Sequence, residues 1–220
     1  MGAAATRVLL RPLANPLVLG FAGLAGASLV TSGLELGWIA PSERDQVGLI
    51  LLLFAPPLQG TASIFAYLAR DVVAASGMGI LVGIWLCTGA VLLATEPGAT
   101  SDALGTCLLV AAAALALVAS AGTRSKLLPS AVMAVAALRF AVSAIYELSS
   151  TTTWRDAAGV IGIVLCGLAL CAVAALAWED VLKRSLAVTA RRGRGQAALA
   201  APLEEQLRDV AHEAGVREQL

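Results

Sequence analysis

One arginine, Arg139, stands inside a long apolar stretch of this 220-residue chain. At 1.5 Å per helical residue it lies about 18 Å in from Leu127 and about 12 Å from Glu147. A guanidinium at such a depth in a bilayer costs at least about 2.5 kcal/mol, so it must face the interior of a helix bundle or a partner. Two readings are open. Arg139 either snorkels outward or pairs with an acid such as Glu35 or Glu147, or it is a fixed positive charge that draws an anion into a pathway.

Other residues could share in anion chemistry. Leu24, Ser28, Thr31 and Glu35 recur at i, i+4, i+7 and i+11, one helical stripe that becomes polar towards its end. The stripe is either a pore wall or a set of hydroxyls bonded back to their own helix, with Glu35 at the outer interface. Asn15-Pro16 precedes it: Asn caps, and Pro suits the first helical position, where an N–H has no partner anyway. A helix end of that kind offers amides and partial positive charge to an anion. Pro56-Pro57 interrupts another apolar run and frees the carbonyls of Leu52 and Leu53. Irregular backbone at that depth is either a structural kink or a wet, protein-lined site, and Gln59 and Ser63 lie one turn apart beside it.

Enzyme chemistry has no foothold. The single histidine, His212, is in a polar tail without metal-ligand neighbours at usable spacing. Cys87, Cys107, Cys166 and Cys171 all lie in apolar runs and read as buried thiols, not as a disulfide framework. No cofactor or metal is implied.

The elements that carry these residues follow from composition. The chain is 59% hydrophobic and 14% charged, with a mean hydropathy of +0.84, whereas soluble domains run near 45–50% and about 25%. The excess apolar surface must face lipid. Six segments reach the roughly 20 residues that a spanning helix needs: 17–36, 47–69, 76–95, 103–122, 127–147 and 157–182. Between them lie Pro41 to Asp45, Arg70-Asp71, Glu96-Pro97-Gly98, Thr123 to Lys126 and Ser149 to Asp156. No small-residue cleavage site follows the first apolar run, so span one is expected to remain in the mature protein. This predicts an all-α membrane protein.

Charge sets its orientation. With six spans, Arg7, Arg11, Arg70, Arg124, Lys126 and the basic stretch from Lys183 to Arg194 share one side, and only Arg44 and Arg155 the other. The positive-inside bias puts both termini in the cytoplasm of a multi-pass cell-membrane protein. Net charge is zero, so no bulk basicity points to nucleic acid. Residues 1–16 form a cytoplasmic lead, 17–182 the membrane domain and 183–220 a basic, then amphipathic tail. There Leu203, Leu207, Val210 and Ala214 recur at helical spacing, as a solvated helix or as one lying on the bilayer or a partner. Gly20, Gly23 and Gly26 in span one, and Gly79 and Gly83 in span three, predict close helix contacts.

The run Asn15-Pro16-Leu17-Val18-Leu19-Gly20-Phe21 resembles the N-P-x-P-L-G-L signature of the acetate uptake transporter family, the succinate–acetate permeases. Ala62 to Leu68 is similar to that family's A-Q-I-F-A-G-L stretch, and Trp85 falls where it has F-W. Val18 and Phe21 depart from the signature, and the family's G-N-T-F-G segment has no counterpart around Val72 to Gly77. The resemblance implies narrow points at Leu24 and Leu81, where the family has phenylalanine and tyrosine, and near Val135 in span five. It further implies passage of acetate and similar small carboxylates, with protons or as a channel, and a homo-oligomer of six. The competing expectation, favoured by the changed narrow points and the tail, is a non-transporting membrane scaffold or regulator that acts through the tail.

Overall fold

A computed structural model describes residues 13–193 and 196. Seven α-helices run through the described residues: α1 (Leu17–Glu35), α2 (Arg44–Leu53), α3 (Ala55–Leu68), α4 (Val72–Ala94), α5 (Asp102–Gly122), α6 (Leu127–Ser149) and α7 (Thr152–Leu182). Single 3-10 turns occupy Pro41–Glu43 and Ala187–Thr189. The helices α2 and α3 follow end to end as one crossing, so six helical spans are long and apolar enough to cross a membrane. The expected all-α, six-span architecture is thus present. The amphipathic repeat at Leu203 to Ala214, and His212, lie outside the described residues.

Most differences from the expected spans are at helix ends. Span three begins at Val72 because Asp71 caps it, its carboxylate accepting the Ala74 N–H at 3.0 Å. Span six takes in Thr152 to Asp156, expected as loop, because Ser150 turns left-handed at φ 54° and reverses the chain at once. The Asn15 Oδ1 accepts the Leu17 N–H at 3.1 Å. Pro16, helical in its dihedrals, stands just before Leu17, where α1 begins, one place short of the expected first helical position. The proline pair acts as expected: α2 stops at Leu53 and α3 restarts at Ala55.

Helix α1 packs along α7 and α3, α5 along α6, and α4 along α2 and α3. Enclosure is uneven. In α1 and α6, 61% and 67% of the apolar window is buried, against 33–39% in the other four spans. Polar side chains are tolerated where lipid is absent, and these two helices carry Ser28, Thr31, Ser32 and Glu35, and Ser130, Arg139 and Ser143.

After α7 the chain doubles back. The Glu179 carboxylate, almost fully buried, accepts the Leu186 N–H at 2.8 Å, the Thr189 hydroxyl and the Arg191 Nε–H at 2.8 Å. Beyond it, the Arg192 N–H donates to the Ser125 carbonyl at 2.9 Å, beside an antiparallel bridge between Arg191 and Lys126. The first eleven residues after α7, 183–193, are therefore a strap laid across the α5–α6 turn.

Candidate functional site

Two cavities enter the bundle from opposite ends. The distal one, at the end away from residues 13–16, has a volume of about 340 Å³. Thr31, Trp85, Thr88, Arg139 and Phe140 line its inner part, and Arg44, Glu147 and Arg155 also face it. The proximal one, about 510 Å³, is lined by Leu17, Ala74, Ser130 and Met133, with an Asp71–Lys126 ion pair at its rim.

The linings show a regular spacing. On α1, Leu17 faces the proximal cavity and Thr31 the distal one, with Leu24 midway; on α4, Ala74 and Thr88 bracket Leu81 in the same way. Seven residues are almost two turns, so all three positions on each helix share a face and lie about 10.5 Å apart. On α6 the two linings come closer, at Met133 and Phe140, seven residues apart with Ala136 between them. Leu24, Leu81 and Ala136 are all fully buried. An apolar barrier a few side chains thick separates the two cavities.

Arg139 closes the floor of the distal cavity. Its side chain is 3% exposed, and the guanidinium donates to Ser143 Oγ at 2.8 Å, Thr31 Oγ1 at 2.8 Å and Glu35 Oε2 at 2.9 Å. The Thr31 hydroxyl can accept that bond because its own proton goes to the Ala27 carbonyl at 2.8 Å. Thr31 thus both lines the cavity and bonds back to its own helix. The Phe140 ring lies 5.9 Å from the guanidinium carbon and 5.3 Å, edge-on, from the Trp85 ring. The Trp85 Nε1–H is buried with no hydrogen-bond partner among the described residues. Gly162 on α7 leaves the space for this packing: a Cβ there would stand 2.1 Å from Ser32 Oγ and 2.8 Å from Arg139 Nε.

The remaining expected site residues lie apart from the distal cavity. Ser28 is buried one turn before Thr31. Gln59 is fully buried, its amide 3.5 Å from the Gly20 carbonyl. Among the described residues neither the Ser28 hydroxyl nor Gln59 Oε1 has a hydrogen-bond partner. Ser63 donates to the Ala75 carbonyl at 2.8 Å and ties α3 to α4. Val135 is half-buried against the core one turn before Arg139. Asn15 and Pro16 stand at the proximal end, next to Leu17.

In the sequence Arg44 reads only as a loop charge. It caps the end of α4 instead, bonding the carbonyls of Leu92 and Thr95 and the Thr95 hydroxyl. Glu147 caps α5 through the Ser101 N–H at 2.7 Å. The signal for both is a charge placed opposite a helix end. For Gly162 there was none, because a lone glycine in an apolar helix has no spacing to read.

No protein-family model and no curated protein matches the chain. Among solved structures the fold is that of the bacterial acetate channel SatP, with a TM-score of 0.71 at 18% identity, covering 80% of this chain and 98% of that one.

Proposed function

We infer that this chain is a divergent member of the acetate uptake transporter family and carries acetate and similar small carboxylates across the cell membrane. The observation that supports this best is the pair of cavities separated by Leu24, Leu81 and Ala136 at matched depth. A short carboxylate has a charged end and an apolar end. Arg139 and the unpartnered Trp85 N–H suit the first, and the leucine barrier suits the second while resisting ions that keep their water. The likeness of fold to an acetate channel and the Asn15-Pro16 motif support the same reading. With both termini cytoplasmic by the positive-inside rule, the distal cavity opens outward. Hexameric assembly and proton coupling belong to this proposal through the family resemblance.

The test is uptake of labelled acetate into proteoliposomes, with and without an imposed proton gradient. It is run well above the carboxylate pKa range, where the neutral acid that crosses lipid unaided is scarce. Uptake is expected to exceed that of protein-free vesicles and to rise with an inward proton gradient if protons are coupled. Uptake no faster than in empty vesicles overturns the reading. Native mass spectrometry in mild detergent checks the hexamer.

A further inference from the structure

Glu35 is not placed where a carboxylate helps the fold. It is the last residue of α1, the end at which the helix dipole is negative and an anion is disfavoured. Its ion pair with Arg139 runs through one N–H, from Nη2 to Oε2. A permanent arginine–carboxylate couple commonly forms two parallel bonds, but here Nη1 is turned to Ser143. Glu35 is also the more open half of the pair, 19% exposed against 3% for Arg139, and it faces the distal cavity.

The other charged groups around that cavity are engaged elsewhere. Arg44 on α2 holds the end of α4, Glu147 on α6 holds the start of α5, and Arg155 on α7 pairs with Asp156 at the surface. Tyr146 adds a phenol to the same wall. Among the described residues, Arg139 is thus the buried cation of this cavity whose charge is met by a carboxylate facing the same cavity.

We propose that Glu35 is an internal stand-in for the transported carboxylate, holding the anion site of Arg139 and yielding it when a substrate carboxylate reaches the cavity floor. The proposal rests on the reading that the distal cavity belongs to a carboxylate path. Exchange of one carboxylate for another at Nη2 keeps the buried guanidinium neutralised throughout, so no unpaired charge is left at depth. Glu35 swings towards the open mouth while the substrate's apolar end meets the Phe140 ring. A dicarboxylate would bring a second charge against Glu147 and the displaced Glu35, so the site selects monocarboxylates.

The test compares the parent protein with Glu35→Gln and Arg139→Gln. Two quantities are read: the acetate concentration that half-saturates uptake, and the rise of the thermal midpoint in detergent on adding acetate. Glu35→Gln removes the competitor and keeps the cation, so half-saturation falls several-fold and acetate stabilises the protein more. Its inhibition by succinate also increases. Arg139→Gln raises half-saturation several-fold. If both variants lose acetate affinity together, the pair is structural and the proposal is overturned. For the case in which Glu35→Gln does not insert, Glu35→Asp, a methylene short of Nη2, is expected to lower half-saturation as well, and an unchanged or raised value overturns the proposal. Absence of uptake by the parent counts against the proposed function instead. The thermal titration then decides the stand-in role alone, by whether acetate stabilises Glu35→Gln, or Glu35→Asp, more than the parent.

Discussion

Gly162 fixes how closely α7 approaches Arg139. A methyl there would meet Ser32 Oγ and Arg139 Nε inside contact distance, and both side chains are buried. Gly162→Ala is therefore expected to lower stability by about 1–3 kcal/mol, the usual cost of overpacking. The loss would appear as a lower thermal midpoint in detergent, and adding Ser32→Ala should recover part of it. Arg139 itself was legible in the sequence as a costly charge, and Glu35 as one of two acids within reach. Which acid it meets depends on how α1 and α6 are rotated about their axes, and hydropathy carries no such angle. Ser63 is ambiguous for a related reason. A hydroxyl beside a helix break suits a wet site or a bond to a neighbouring helix, and in the fold it donates to the Ala75 carbonyl.

Helix contacts sort the glycines by what surrounds them. A Cβ at Gly89 would stand 2.8 Å from the Gly48 carbonyl oxygen, backbone that cannot step aside, whereas nothing lies within 4 Å of one at Gly83. Gly89→Ala should part α2 from α4 and destabilise the protein. Gly83→Ala should be neutral or gain up to about 1 kcal/mol from helix propensity, unless a second copy packs there. Melting curves of the two variants side by side check the contrast. The GxxxG spacing singled out Gly79 and Gly83, but spacing shows only which residues share a face, not which face meets a neighbour. The strap was less legible still. Residues 183–193 read as a basic stretch, and its anchor, Glu179, is hidden inside the apolar run of α7. Glu179→Ala removes the acceptor shared by Leu186, Thr189 and Arg191. Trypsin cleavage after Arg191 is expected to quicken several-fold in that variant, read by mass spectrometry of the released tail.

At the scale of the whole molecule, an even number of crossings puts residues 13–16 and the strap at the same end of the bundle. Reporter fusions at residue 2 and at Leu220 should both read cytoplasmic, and an external C-terminus would contradict the orientation drawn from Lys and Arg. Six apolar runs separated by turn residues made the architecture plain in the sequence, since a bilayer leaves backbone amides few ways to cross. The cavities were not legible, because they arise where three helices bring lining residues together, fourteen apart on α1 and α4 and seven apart on α6. The doubling back after α7 also settles where mechanical load on the tail would go. Force applied beyond residue 193 pulls first on the Arg192–Ser125 and Arg191–Glu179 bonds, and so on the α5–α6 turn rather than along the axis of α7. Peeling the strap would add at most about 40 Å of extended chain, at roughly 3.3–3.6 Å per residue, before any span felt the pull. Tension on the tail would thus be absorbed at the rim of the proximal cavity, with the membrane-embedded helices still in place.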